Sequence, residues 1–137
     1  MDLGRFIKAQ ENSYSVALAE IRSGKKLTHW MWYIFPQLRG LGRSYTSQYY
    51  GIQGRAEAEA YLGHPTLSSR LVEISESLLQ LNCVDASEIF GYIDDLKLQS
   101  SMTLFFIVGG NPVFKGVLEK FFKGELDEKT VELLQKE

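Results

Sequence analysis

One cysteine, two histidines and three prolines are all that this 137-residue chain has of those types, and each scarcity removes a class of answer. Cys83 alone cannot close an internal disulfide, so the fold must stand on its core, and nothing points to an oxidising compartment. His29 and His64 have no cysteine nearby and no carboxylate at ligand spacing on the same helical turn, which argues against a metal centre. Adjacent Asp94 and Asp95 diverge on a helix and cannot clamp an ion by themselves. Long apolar runs are missing as well: nothing reaches the roughly 20 residues of a membrane span, and no basic-then-apolar leader opens the chain. Positive charge is not in excess, with 15 Lys and Arg against 17 Asp and Glu and a net charge of −2, which argues against general DNA binding. The expectation is a cytoplasmic protein with no metal, no cofactor, no membrane and no DNA partner.

What is present is a core. Hydrophobic residues make up 45% of the chain, and at this size roughly two thirds of the unfolded surface is buried on folding. Residues 1–137 read as a single domain. Apolar spacings of three and four recur along it: Leu3, Phe6 and Ile7; Tyr14, Ala17, Leu18 and Ile21; Leu67, Leu71, Ile74 and Leu78; Ile93, Leu96, Leu104 and Ile107; Phe114, Val117, Leu118 and Phe121. Between these faces stand cap residues, with Ser13, Asp85, Asn111 and Asp127 at helix starts, His64 before Pro65, and Gly24 and Gly124 just past helix ends. No segment alternates with period two. The reading is an all-α, compact domain of seven to nine helices, many of them short.

The chain is organised around His29-Trp30-Met31-Trp32-Tyr33-Ile34-Phe35-Pro36-Gln37, which holds both tryptophans. As a helix it is apolar on every side and must be covered by protein on every side; a buried strand is the competing reading, since periodicity alone does not assign a run this short. Thr28 is placed to cap it, and Pro36 ends it by turning Phe35 away from helical geometry. A basic span (Arg22, Lys25, Lys26, Arg39 and Arg43) brackets it with no acidic residue inside. Positive charge beside an aromatic wall suits a phosphate or carboxylate ligand, and Trp30 or Trp32 suits a stacked ring; a solvated face is the plainer account of the same charges.

The loop Gly40-Leu41-Gly42-Arg43-Ser44 adds two glycines that let a backbone approach a ligand and two donors in Arg43 and Ser44, with a helix start at Ser44 as a further anion-binding end. It lacks the Lys-Ser/Thr ending of a Walker loop and the βαβ setting of a dinucleotide fold. Lys97 and Ser101 lie one helical turn apart, the spacing of a Ser–Lys pair, although Lys97 is equally placed to pair with Asp94. His29 is the residue of the aromatic stretch that titrates near neutral pH.

Three blocks carry a resemblance that spans the chain: Arg5-Phe6 and Ala9-Gln10 with KLTHWMWYIFPQLRGL from Lys26 to Leu41; Glu57-Ala58 with Ala60 to Pro65 and Arg70-Leu71; and Ile89 to Gly91 with Asp94 to Leu98, Ser100 to Phe105, Phe114 and Leu118. In these the chain resembles domain-of-unknown-function family 1810, whose mycobacterial member defines a small all-α fold. The resemblance implies that fold and no established activity. Some family members have carried a calpastatin label, but a calpain-inhibitor repeat is disordered until bound, whereas this chain has the composition of a full core.

Several of the resemblance positions are polar (His29, Gln37, Ser44, Tyr61, His64, Asp94, Lys97 and Ser101), which points to a pocket lined from three blocks. Two readings follow. In the first, the chain binds a small phosphorylated or nucleotide-like metabolite: Arg39, Gly40, Gly42, Arg43 and Ser44 hold the anion, Trp30 or Trp32 faces a ring, Gln37, Tyr61, His64 and Ser101 complete the binding site, and His29 with Asp94 and Lys97 moves protons. In the second, the same polar residues are a hydrogen-bonded core, and the protein is a non-catalytic interaction domain acting through its surface.

Overall fold

In the computed structural model, which describes residues 2–137, the apolar periodicities become ten helices: α1 (Gly4–Gln10), α2 (Tyr14–Arg22), α3 (Met31–Ile34), α4 (Tyr45–Tyr49), α5 (Arg55–Gly63), α6 (Pro65–Leu79), α7 (Ala86–Phe90), α8 (Asp94–Gly109), α9 (Pro112–Phe122) and α10 (Glu128–Gln135). Ten replaces the expected seven to nine among the described residues. The three shortest, α3, α4 and α7, have four or five residues. Single turns of this kind cannot nucleate on their own; they exist because packing and capping hold them. The all-α class and the compact single domain stand.

α8 is the axis of the molecule. Leu98 and every residue from Ser100 to Phe105 are buried, the pattern of a helix covered all round rather than along one stripe. α5, α7, α9 and α10 pack around it, while α6 joins α2, α5 and α9 in the adjoining layer. The starts of several helices follow the caps read from the sequence: Asp85 accepts from Ser87 N, Asn111 from Val113 N, Asp127 from Thr130 N, and His64 Nδ1 from Leu67 N at 3.3 Å. Two caps are reassigned. Ser13 stands before α2, but its Oγ accepts from the Tyr33 hydroxyl at 3.0 Å instead of from the helix. Thr28 caps nothing; α3 begins three residues later, at Met31, without a side-chain cap.

Inside the core, Arg5 of α1 makes a bidentate pair with Glu57 of α5, at 2.8 and 3.1 Å, with both side chains almost fully buried. The same guanidinium donates to the carbonyls of Tyr49 and Gly51. One buried cation thus ties α1 to α5 and to the far end of α4. An ion pair this deep is tolerated because every polar atom finds a partner, and removing one member alone strands the other.

Candidate functional site

Glu20, near the end of α2, sets the course of the aromatic stretch. Its carboxylate accepts from Leu27 N (2.7 Å), Thr28 N (3.0 Å), Thr28 Oγ1 (2.7 Å) and Trp30 Nε1 (2.9 Å). Burial alone raises this carboxyl, but the four hydrogen bonds outweigh it and pull it from 4.5 down to about 2. Trp30 is thereby fixed in the core, between Phe35 and Phe90. Lys26 lies over its ring, with Nζ 5.1 Å from the centroid. That ammonium also pairs with Asp94 Oδ2 at 3.0 Å, while Asp94 Oδ1 stands 3.6 Å from Lys97 Nζ. Lys97 in turn lies over Trp32, 5.2 Å from a ring centroid. The order is aromatic, cation, carboxylate, cation, aromatic, and it clamps residues 26–32 onto the first turn of α8. Cation–π and ion-pair attraction both favour it.

Beyond Lys97 opens a cleft of about 390 Å³, walled by Gln37, Gly40, Leu41, Gly42 and Arg43 from the loop after α3, by Ile93, Leu96, Lys97 and Ser100 from α8 and its start, and by Asp127 and Lys129 from the start of α10. The loop is pinned at its base, where Ile52 N donates to the Gln37 carbonyl at 2.9 Å and Arg39 N to the Ile52 carbonyl at 2.8 Å. Gly40 takes φ +105°, which a side chain resists. Gly42 serves a different need: a Cβ there would fall 2.6 Å from Ser47 Oγ, so its bareness lets the loop close against α4. Lys129 reaches the cleft because α10 is docked on α8, with Asp127 N donating to the buried Thr103 Oγ1 at 2.9 Å.

Charge in the cleft runs opposite to that of the chain. Arg43, Lys97 and Lys129 face Asp127 as the one carboxylate among the lining residues, and Asp127 Oδ2 is already engaged by Thr130 N (3.0 Å) and Thr130 Oγ1 (2.6 Å). Ile93, which also lines the cleft, has φ 132° and ψ −29°. A β-branched residue with this backbone is a steric outlier. Ile93 and Leu96 were expected to point into the core; they are 53% and 46% exposed, because at the start of α8 both line the open cleft and the buried part of the helix begins only at Leu98.

Of the residues singled out in the sequence, Gln37, Gly40, Gly42, Arg43 and Lys97 come together in this cleft, and Asp94 supports it through Lys97. Trp32 lines a neighbouring hollow with Tyr33, Tyr45, Thr46, Tyr49 and Tyr50. Trp30, Tyr61 and Ser101 lie in the core. Tyr61 accepts from Gln10 Nε2 at 3.2 Å, and burial pushes its phenol above the usual tyrosine range. Ser101 Oγ is buried without a partner, so the Ser–Lys pair is not formed, Lys97 having turned to Asp94 and Trp32. His64 is occupied as a cap. His29 and Arg39 are exposed and line neither hollow, so Asp94 and Lys97 meet without His29. Ser44 is exposed too; its Oγ caps α4 at Ser47 N, and a single capped turn offers no spare anion-binding end. Sequence reasoning missed Ser100, Asp127 and Lys129 in the cleft, and Glu20 behind it. Lys129 lies outside the three blocks and comes from the last helix, so only the fold brings it in.

Comparison with solved structures places the chain beside the conserved hypothetical protein Rv1873 from Mycobacterium tuberculosis, with 47% identity, a TM-score of 0.96, and coverage of 98% of this chain and 96% of that one. Comparison with curated proteins finds no match. A family model described as a protein of unknown function, DUF1810, matches residues 1–134. Sequence and fold agree, and the chain belongs to the DUF1810 family.

Proposed function

We propose that the cleft between the Gly40–Arg43 loop, the start of α8 and the start of α10 binds a small anionic, phosphorylated metabolite. One observation carries this reading: three cations from three separate elements, Arg43, Lys97 and Lys129, line one hollow against a single lining carboxylate, Asp127, and the positive charge stays in excess after Asp94 is set against Lys97. A volume of about 390 Å³ falls in the range of roughly 300–1,000 Å³ usual for small-molecule sites. Leu41, Ile93 and Leu96 add apolar contact beside the three cations. Gln37 and Ser100 add neutral polar groups that orient a ligand. Lys97, held between Asp94 and the Trp32 ring, is pre-placed as a binding cation.

The reading assigns binding and no reaction. An interaction-domain reading draws on the exposed Tyr92, Ile93 and Leu96, and the same experiment separates the two. Purified protein is titrated with inorganic pyrophosphate, sugar phosphates and nucleotides while melting temperature is followed. A bound anion raises it in a concentration-dependent way, since the ligand favours the native state, and raised salt weakens the effect. Arg43→Ala and Lys97→Met each lower affinity about tenfold, or about 1.4 kcal/mol. No stabilisation by any of these anions, or an unchanged affinity in both variants, refutes the reading and favours a protein-interaction surface.

A further inference from the structure

The segment that gives Gly40 to Arg43 to the cationic cleft runs on into α4, and α4 lines a second hollow together with Trp32. That hollow has a volume of about 490 Å³. Five of its six lining residues, Trp32, Tyr33, Tyr45, Tyr49 and Tyr50, are aromatic, and none is charged. The rings are already arranged for stacking: Tyr45 and Tyr49 lie nearly parallel, with 16° between planes and 6.1 Å between centroids, and Tyr49 meets Tyr50 edge-on at 4.8 Å. Their floor is fixed from below, because Arg5 holds the Tyr49 and Gly51 carbonyls and Tyr33 donates to Ser13. Tyr45 is nevertheless 81% exposed. Rings of this number, on a rigid base and open to water, form a platform for another ring.

The two hollows share a wall. Lys97 lines the cationic cleft, and its ammonium lies 5.2 Å from the ring centroid of Trp32, which lines the aromatic hollow. A neutral aromatic platform thus stands next to a cationic cleft, with a continuous chain segment, Gly40 to Tyr50, contributing to both. A ligand that matches has a flat ring at one end and negative charge at the other, joined by a short spacer. Resting on the reading of the cleft as an anion site, we infer that the ligand is a nucleotide, its base stacked in the Trp32–Tyr45–Tyr49 hollow and its phosphates held by Arg43, Lys97 and Lys129. The platform carries no charged side chain to read base edges, so it selects for a ring more than for one base.

The test is calorimetric titration of the full chain with inorganic pyrophosphate and with the adenine, guanine, uracil and cytosine nucleoside diphosphates. At least one diphosphate binds tenfold or more tightly than pyrophosphate. Tyr45→Ala, chosen because Tyr45 is so exposed that folding does not depend on it, removes most of that advantage while pyrophosphate affinity stays within twofold. If pyrophosphate binds but none of the four diphosphates binds more tightly, or if Tyr45→Ala leaves the advantage intact, the nucleotide inference is overturned while the anion cleft stands. If neither pyrophosphate nor any diphosphate binds, both fail together.

Discussion

Ile93 holds φ 132° with a β-branched side chain that is 53% exposed. Backbone strain of this kind costs on the order of 1–3 kcal/mol, and the half-exposed side chain recovers little of it by burial. Removing the side chain relieves the strain, so Ile93→Gly is expected to raise stability by about 1 kcal/mol, after the added freedom of glycine in the unfolded chain is subtracted. The same change weakens ligand binding at the cleft mouth. Denaturant melts with and without pyrophosphate check both halves, and a destabilised variant contradicts the account. Ser101 makes a second case. Its hydroxyl is buried and unpartnered, and a stranded polar group costs about 1–3 kcal/mol. Ser101→Ala is therefore expected to be neutral or stabilising in thermal unfolding. A loss above about 1 kcal/mol, the size of an ordinary hydrogen bond, shows that the hydroxyl has a partner after all. In the sequence Ile93 was visible as an apolar position, and Ser101 as half of a Ser–Lys spacing and as a polar position of the resemblance. Neither a positive φ nor an orphaned hydroxyl leaves a trace in residue spacing.

At the scale of elements, what the sequence disclosed was local chemistry. Asp85, Asn111, Asp127, Ser44 and His64 cap the helices that follow them, because a cap needs only its own next few residues. Ser13 and Thr28 failed as caps for the opposite reason: distant groups, Tyr33 and Glu20, compete for their hydroxyls and win. Glu20 itself was not legible as the holder of the aromatic stretch, since nothing in its own helix requires a carboxylate. Its structural role carries a pH dependence. With the folded carboxyl depressed to about 2 from 4.5, Glu20 contributes stability that is fully present above pH 4.5 and is lost as pH falls toward 2. Arg5 and Gln53 act in the same direction on Glu57, lowering it against the upward push of burial. Glu20→Gln is expected to cost about 2 kcal/mol at neutral pH, after solvent screening is allowed for. That gap from the parent chain narrows steadily between pH 4.5 and 2. Parallel melts across that range measure it, and a gap that is constant with pH means the carboxylate charge is not what fixes Trp30.

For the molecule as a whole, fold class came from periodicity and composition, and the site came only in part. Gly40, Gly42 and Arg43 were legible because two glycines and a cation mark a loop after the aromatic run, whereas Gln37 and Lys97 entered the expected pocket through the family resemblance. Lys129 and Ser100 were not legible, since they become neighbours of that loop only when α10 packs on α8. Trp30 and Tyr61 show the converse: Trp30 was expected to face a ligand ring and Tyr61 to line the pocket as a resemblance position, yet both are core residues whose polar tips Glu20 and Gln10 satisfy. The whole chain carries a net charge of −2 while gathering three cations around one hollow, and the proposed anion site rests on that contrast. At 15.6 kDa the protein suits amide-resolved NMR, and the most direct measurement is a titration of the uniformly nitrogen-15-labelled chain with inorganic pyrophosphate. The account predicts saturable shifts at Gly40, Gly42, Arg43 and Lys97 and at the start of α10, with the Trp30 indole N–H unmoved because it is sealed against Glu20. Shifts confined to other surfaces, or none at any pyrophosphate concentration, contradict it.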